Sequence, residues 1–246
     1  MSDFTTWRSL VDGEEIGVIP DSEVFHPIDE GSGTTWADAN GDRDASFNSL
    51  EWIEDSDAFG GQKAKTDGVD GSGTISYDEL GSELQDFALA FTVETTDEAV
   101  LFSYEGDDIG EGEQRFEIWT SGFYDTPTGR IGIVIRDDNS DDYSFYSDTD
   151  VTDGSRYRVF IRVIDASNHD AEIYVTEEGE SFGADDANNE RTESPSNFVD
   201  FEDDLRIAER FRGGDNIENE WDALAIYEND PGSDEAEDDF NAQPWS

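Results

Sequence analysis

Near the start of the chain stands the stretch Phe25-His26-Pro27-Ile28-Asp29-Glu30-Gly31-Ser32-Gly33-Thr34-Thr35. A short apolar segment passes there into a turn rich in glycine and hydroxyl side chains, which is typical of a strand that ends in a tight loop. Further pieces follow in order: Asp38-Ala39-Asn40-Gly41, Phe47–Trp52, Gly60–Asp70 and Trp221–Glu228. Each piece is weak evidence alone, so the order and separation of the pieces matter more than any single one.

Apolar residues alternate with small or polar ones between these pieces, as half-buried strands require. The alternation occurs in Phe87–Val93, Phe116–Trp119, Ile131–Ile135, Tyr157–Val163 and Ala171–Val175. Turn-forming residues separate these segments, so they are predicted to form an antiparallel meander. Ser181–Asn197 is polar and lacks periodicity, and we predict a long loop there.

This order of motifs resembles the laminin-G-like members of the concanavalin A-like lectin and glucanase jelly rolls. The resemblance rests on Asp29–Thr35, on Gly60–Asp70 and on Ile226-Tyr227. The chain departs from the family at Ala208, where a glycine is usual after Leu205-Arg206-Ile207. The resemblance implies an all-β antiparallel β-sandwich that binds glycans or proteins, or serves as an exposed structural module.

Residues 1–24 precede these motifs and are predicted to form an N-terminal arm, with one jelly-roll domain over residues 25–246. Phe4, Trp7, Leu10 and Val11 fall on one face of a short helix. Such a short helix is unstable alone, so its apolar face must pack on its own domain or on a partner subunit. The family often has a second short helix near the C-terminus, for which Ser233–Ala236 supplies an N-cap hydroxyl and early acids.

The charge of the chain is extreme. It has 64 Asp and Glu against 14 Lys and Arg, only two of them lysines, for a formal charge of -50. Aromatic residues make up 12% of the chain and recur in strand-like segments, which argues against a disordered acidic chain. This composition predicts a folded protein of a salt-saturated habitat, because concentrated salt screens the repulsion. Nucleic acid and anionic membranes are poor partners for such a surface.

Cysteine is absent, which removes disulfides and thiolate chemistry. The sequence shows no secretory signal and no apolar run long enough to cross a membrane. We therefore expect a location in a virion or at the cell exterior, reached without a signal peptide, with the cytoplasm as the alternative.

Candidate metal and catalytic motifs are few. Asp67–Glu79 imitates a calcium-binding EF-hand loop but places Gly68 where the first carboxylate is needed. A looser site for Ca²⁺ or another cation, using Asp67 and Asp70, stays open, and no other cofactor is expected. His26 and His169 have no second histidine nearby. The Glu-x-Asp-x-x-Glu signature of jelly-roll hydrolases and the Gly-x-Ser-x-Gly elbow are both absent, so we predict no enzyme activity.

One strand carries an unusual pattern of arginines. If Tyr157, Val159, Ile161 and Val163 face the core, the outward face shows Arg156, Arg158, Phe160 and Arg162, with Tyr174 and Glu172 on the adjacent strand. Guanidinium groups and aromatic rings suit a sugar with its hydroxyls. Cross-strand salt bridges or a subunit contact explain the same pattern and are favoured.

These observations lead to one functional expectation with two alternatives. We expect a non-enzymatic structural or adhesion protein of a haloarchaeal virus particle, such as a capsid decoration, turret or tail fibre. It would contact other virion proteins, form a homo-oligomer and attach to glycans of the host surface. The alternatives are a haloarchaeal carbohydrate-binding module or adhesin outside any virus, and a divergent glycoside hydrolase.

Overall fold

The computed structural model describes residues 9–11, 14–16, 22, 24–40, 43–58, 61–76, 87–105, 115–120, 122, 127–136, 142–165, 170–178, 180, 184–185, 188–192, 204–210, 216–227 and 232. Every regular element in these residues is a β-strand. In chain order the strands are β1 (Ser9–Val11), β2 (Glu14–Ile16), β3 (Val24–His26), β4 (Thr35–Trp36), β5 (Ala45–Phe47), β6 (Glu51–Glu54), β7 (Gln62–Asp67), β8 (Gly73–Ile75), β9 (Phe87–Glu94), β10 (Val100–Glu105), β11 (Arg115–Trp119), β12 (Arg130–Arg136), β13 (Asp142–Asp150), β14 (Arg156–Asp165), β15 (Asp170–Glu177), β16 (Ala184–Asp185), β17 (Asn188–Thr192), β18 (Leu205–Ile207), β19 (Glu218–Trp221) and β20 (Leu224–Tyr227).

Within the described residues these strands form four sheets. The largest has the order β17-β13-β12-β11-β10-β18-β8-β5-β4, and the second has the order β16-β15-β14-β9-β20-β3. Strands β19, β7 and β6 form a smaller sheet, and β1 pairs only with β2. All of these pairings are antiparallel. The predicted all-β jelly-roll sandwich is therefore confirmed.

The main core lies between the nine-stranded and six-stranded sheets. Phe91 of β9 meets Phe102 of β10 edge-on, with ring centroids 5.0 Å apart, and Phe87 meets Phe116 at 5.4 Å. Trp221 of the small sheet reaches the same core, 5.5 Å from Phe102. Large aromatic side chains dominate such cores because each buries a large apolar area.

Strand β14 follows the predicted alternation. Tyr157, Val159, Ile161 and Val163 belong to the main core, whereas Phe160 lies on the opposite sheet face, in a second buried cluster with Tyr174 and Tyr227. Phe160 pairs with Tyr174 across β14 and β15, and their rings meet edge-on at 6.4 Å. The period of two that separates the faces is a property of the pleat.

The helix predicted over the N-terminal arm is wrong where the structure describes the arm. Leu10 and Val11 lie in β1, which pairs with β2 through Val11 and Glu14. The two residues between the strands are Asp12-Gly13, a dipeptide that favours a two-residue hairpin over a continuing helix. Phe4, Trp7 and the C-terminal segment Ser233–Ala236 lie outside the described residues.

The long loop predicted over Ser181–Asn197 is also wrong in part, because β16 and β17 fall inside it. Strand β17 pairs with β13 at the end of the large sheet, and β16 pairs with β15 at the end of the second sheet. Terminal strands of a sheet take polar sequences without losing their backbone hydrogen bonds. Apolar periodicity therefore could not mark them.

Candidate functional site

A cluster of buried ion pairs lies where the small sheet meets the ends of β9 and β14. Lys63 of β7 places its Nζ 3.1 Å from Asp55 Oδ2, 2.9 Å from Glu94 Oε2 and 2.6 Å from Glu220 Oε2. Arg156 of β14 donates from Nε to Glu94 Oε2 at 3.1 Å and also contacts Asp55. The side chains of Lys63 and Arg156 are each 6% exposed, so both cations depend on these carboxylates for compensation.

Asp55 shows the electrostatic consequence of this packing. Burial alone would raise the pKa of its carboxyl group, but hydrogen bonds from the Asp57 backbone, Lys63 and Arg156 outweigh burial and lower the pKa to about 2. The same partners hold the ionised form of Asp55 in place. Asp55 is therefore ionised at neutral pH and compensates both Lys63 and Arg156.

A cleft of about 160 Å³ opens beside this cluster. Its lining includes Lys65, Glu218, Asn219 and Glu220 from β7 and β19, and Glu94 and Thr95 from the end of β9. Strands β7 and β19 are neighbours in register, with Lys65 opposite Glu220 and Thr66 opposite Asn219. The small sheet thus supplies most of the polar groups of the cleft.

An ion pair and a hydrogen bond hold two of these side chains in place, but one amide donor has no acceptor among the described residues. Lys65 Nζ lies 2.6 Å from Glu218 Oε1, an ion pair that raises the pKa of Lys65. Asn219 Oδ1 accepts a hydrogen bond of 2.9 Å from the backbone N of Glu94. Asn219 is fully buried, and its Nδ2 has no acceptor in the described structure. A buried amide donor without a partner is unfavourable, so a group that accepts from Asn219 would stabilise the cleft.

The arginine face predicted for sugar binding is not a solvent-facing surface. Arg158 and Phe160 are each 2% exposed, and Arg162 and Tyr174 are also buried. The sheet face was assigned correctly, but that face carries its own cluster of aromatic and alanine side chains. Arg158 and Phe160 therefore do not present an open surface to a sugar.

The alternative explanation of the arginines, cross-strand salt bridging, agrees with the contacts. Arg162 Nη1 lies 2.5 Å from Glu172 Oε2, and the hydroxyl of Tyr174 donates to the same oxygen at 2.5 Å. Arg162 stands opposite Glu172 in the β14–β15 register. Arg156 belongs to the ion-pair cluster instead, so the predicted set does not form one site.

The suggested cation ligands lie at the end of β7, where Asp67 is the last residue, and in the loop before β8, which contains Asp70. Asp67 Oδ1 accepts hydrogen bonds from the backbone N atoms of Val69, Asp70 and Gly71, at 2.8 to 2.9 Å. These bonds lower the pKa of Asp67 and give it a structural role. Asp70 is exposed, and no group of three metal-binding side chains occurs among the described residues. A cation on Asp67 and Asp70 stays a prediction.

Sequence reasoning missed the residues that form the cleft. Lys65, Glu94 and Asn219 come from distant parts of the chain, and chance pairs of acids are uninformative in a chain with 64 of them. One signal was present, because the only two lysines stand two residues apart, at Lys63 and Lys65. Such a spacing places both side chains on one face of a strand.

No protein-family model matches the chain, and no curated protein is similar to it in sequence. The ligand-binding domain of botulinum neurotoxin serotype D, solved with N-acetylneuraminic acid, is similar in fold, with a TM-score of 0.61 and 10% identity over 91% of this chain and 51% of that one. Domain 4 of AbnA, a GH43 extracellular arabinanase from Geobacillus stearothermophilus, solved with arabinotriose, has a TM-score of 0.57 and 12% identity over 89% of this chain and 97% of that domain. The botulinum neurotoxin type G receptor-binding domain has a TM-score of 0.52 and 15% identity over 90% of this chain and 51% of that one.

At these identities the likeness shows the fold alone. The chain spans about half the length of the neurotoxin chains and nearly all of the arabinanase domain. Each of these structures is a ligand- or receptor-binding domain or holds a sugar, and none is a catalytic domain by its description. Among the described residues, no helix is long and apolar enough to cross a membrane.

Proposed function

We propose that the chain is a non-enzymatic sugar-binding domain of a structural or adhesive protein, and that its cleft holds one sugar unit. The lining of the cleft carries the proposal. Lys65 Nζ and Asn219 Nδ2 are donors, and the carboxylates of Glu218 and Glu220 are acceptors. A sugar hydroxyl both donates and accepts, so it satisfies a lining of this mixed kind.

The size of the cleft limits the ligand. Its volume of about 160 Å³ is below the roughly 300–1,000 Å³ of pockets that enclose drug-sized ligands. One sugar residue fits this space better than a longer segment. Two proteins of similar fold were solved with sugars, N-acetylneuraminic acid and arabinotriose, which supports this ligand class.

The charge of the cleft favours a neutral sugar. Glu94, Glu218 and Glu220 line it together with one ammonium, that of Lys65. An acidic sugar would bring a further carboxylate close to these three, and salt weakens repulsion little at contact distance in a partly buried site. Arabinose units carry no charge and meet no such repulsion.

The ion pairs also support a non-enzymatic role. Glycoside hydrolysis needs one carboxyl group to transfer protons and a second to act as base or nucleophile. Glu94 is tied to Lys63 and Arg156, Glu220 to Lys63, and Glu218 to Lys65. Release of reducing sugar from arabinan by the purified chain would contradict this part of the proposal.

Titration with arabinotriose and with N-acetylneuraminic acid in molar KCl tests the site. Lys65→Met removes a cleft donor and should weaken arabinotriose binding about fivefold, the effect of about one hydrogen bond. Arg130→Met is the matched control, because Arg130 is 30% exposed and pairs with Asp148 at 3.0 Å, as Lys65 is 27% exposed and pairs with Glu218. Equal effects of the two substitutions, or tighter binding of the acidic sugar, would contradict the cleft assignment.

The setting that we propose is a haloarchaeal virus particle, with an adhesin outside any virus as the alternative. The acidic composition supports a high-salt habitat. The hairpin of β1 and β2 supports docking, because it forms a sheet of its own in the described structure, and an isolated hairpin is marginally stable in water. Copurification of the protein with particles from an infected high-salt culture would distinguish the two settings.

Deletion of residues 1–23 tests the docking role. The truncated chain keeps β3, which begins at Val24 and pairs with β20, so it should fold and fail to assemble. Circular dichroism and light scattering in molar KCl measure the two properties. Unfolding of the truncated chain would place the arm in the intramolecular core instead.

A further inference from the structure

An exposed apolar side chain stands close to the cleft. Val69 lies in the loop between β7 and β8 and is 72% exposed, and among the described residues it is the one large apolar side chain that is exposed. Single exposed apolar residues are common on protein surfaces. Val69 differs from an ordinary surface valine in two respects, the rigidity of its loop and its position beside the cleft.

Short contacts hold the loop in one conformation. Asp67 Oδ1 accepts three backbone hydrogen bonds from the loop, one of them from Val69 N at 2.9 Å. Asn216 Nδ2 donates to Val69 O at 3.2 Å. Gly71 packs so closely that a Cβ atom there would lie 2.7 Å from the backbone N of Asp67. Because the loop is already ordered, a ligand that contacts Val69 spends little free energy on ordering it.

The same loop adjoins the cleft through Glu218. Asp67 stands opposite Glu218 in the β7–β19 register, and Glu218 lines the cleft. Gly68 has a φ of 70°, and a Cβ atom there would lie 3.2 Å from the backbone N of Glu218. Glu218 and Thr96 are both exposed lining residues, so the cleft opens to solvent at this end. Val69 directly follows Gly68 and therefore lies beside the open side of the cleft.

We propose that Val69 forms a second subsite, outside the cleft, against which the next unit of a sugar chain packs. The inference rests on the proposed sugar-binding function and adds to it a preference for chains over single sugars. The cleft of about 160 Å³ holds one unit, so the following unit of an oligosaccharide lies outside it. The C–H face of a sugar ring is apolar, and covering an apolar side chain with it removes both surfaces from water.

The surroundings of Val69 favour a neutral sugar chain over other occupants. Asp70 and Glu218, on either side of it, are exposed carboxylates. Sugar hydroxyls can donate to these groups, whereas an anionic chain would be repelled by them. One valine is also far smaller than the roughly 800 Å² that each partner of a stable protein complex buries. A second copy of the chain would bring the same acidic loop with it.

Affinities for arabinose and arabinotriose, measured in molar KCl, test the subsite. Val69→Thr keeps the shape of the side chain and replaces one methyl group with a hydroxyl group. It should weaken arabinotriose binding about threefold and leave arabinose binding and thermal stability unchanged, because an exposed position contributes little to the fold. Val69→Ile is the matched control, since it keeps the apolar contact and should retain the wild-type ratio of the two affinities.

Two results would overturn the subsite while the cleft stands. One is a wild-type chain that binds arabinose as tightly as arabinotriose. The other is a Val69→Thr variant with the wild-type ratio of affinities. Lys65→Met removes a donor inside the cleft, so it should lower both affinities by the same factor and mark a defect of the cleft itself. If the wild-type chain binds neither sugar, the proposed function falls and the subsite falls with it.

Light scattering of the same proteins tests the other occupant. The subsite predicts that wild type and Val69→Thr have the same mass in solution. Dissociation of an oligomer in Val69→Thr, with both sugar affinities unchanged, would assign Val69 to a contact between copies of the chain and overturn the sugar subsite.

Discussion

Ala208 occupies a position where the backbone demands a glycine. Its φ of 59° lies in the left-handed region, which costs about 1–2 kcal/mol for a residue with a Cβ atom. This is the position where the resemblance to laminin-G-like domains led us to expect a glycine. Strand β18 nevertheless ends at Ile207. Ala208 therefore adopts the left-handed conformation that glycine would adopt without strain.

Ala208→Gly should therefore raise the free energy of unfolding. Glycine makes the unfolded chain more flexible, which lowers the free energy of unfolding by roughly 0.4–1 kcal/mol. The relief of backbone strain at position 208 is larger, so we expect the free energy of unfolding to rise by about 1 kcal/mol. Chemical denaturation in constant molar KCl measures it. Ala45→Gly is the control, since Ala45 is buried in β5 without the strained φ, and its substitution should destabilise. A loss of stability in Ala208→Gly would show that the methyl group matters more than the backbone.

His26 makes the fold sensitive to mild acid. It is fully buried beside Trp36, with ring centroids 6.2 Å apart, and neither ring nitrogen makes a hydrogen bond of normal geometry in the described structure. Burial lowers the pKa of His26 below its ordinary value of 6.5, although Asp38, the Ala37 backbone and Asp44 oppose the shift. The folded state therefore binds fewer protons than the unfolded state below pH 6.5.

We predict that stability falls as the pH drops from about 7 toward 5. The sign follows from the lowered pKa: the unfolded chain takes up the proton first, so acid favours unfolding. His26→Phe keeps an aromatic ring against Trp36 and removes the titration, so its stability should vary less over this range. Thermal unfolding at fixed KCl from pH 5 to 8 measures both proteins. Parallel pH profiles would assign the acid sensitivity to other groups.

At the scale of the strand, β7 carries two lysines whose roles should differ. Lys63 is buried among three carboxylates, whereas Lys65 is 27% exposed and pairs with Glu218 as its one ionic partner among the described residues. Lys63→Met leaves Asp55, Glu94 and Glu220 without this cation and should cost about 3–5 kcal/mol. Lys65→Met removes a surface pair and should cost about 0–1 kcal/mol. Denaturation of both variants in the same buffer tests the contrast, and equal losses would contradict the buried network.

The strands show what a sequence of this kind can predict. The two faces of β14 follow from the period of two, and the main core contains Val159 and Ile161 as expected. Alternation tells which face a side chain takes, but not whether that face is covered. The alternation therefore placed Arg158 and Phe160 on the correct face of the strand, but it could not show that this face is covered. The site residues were missed for a similar reason, because the topology alone brings Glu94, Asn219 and Lys65 together.

At the scale of the whole molecule, the charge is distributed unevenly. The formal charge is -50, yet Lys63 and Arg156 share one network with Asp55, Glu94 and Glu220, and the pair of Lys65 and Glu218 lies on the neighbouring residues of the same strands. Most of the acidic side chains of the chain therefore have no cation of their own, since 64 acids share 14 basic residues. The folded state brings these charges closer together than the unfolded state does, so self-repulsion opposes folding.

We therefore predict that the sandwich folds cooperatively in molar KCl or NaCl and loses its β-type circular dichroism on dialysis into millimolar buffer. The physical reason is screening, because the Debye length falls from about 30 Å at 0.01 M to about 3 Å at 1 M. Sucrose at matched osmolality is the control. It favours the compact state by exclusion from the surface but does not screen charge, so it should restore the fold less well than KCl. A protein that is equally stable in millimolar buffer would contradict the assignment to a salt-saturated habitat, and equal rescue by sucrose would contradict screening as the cause.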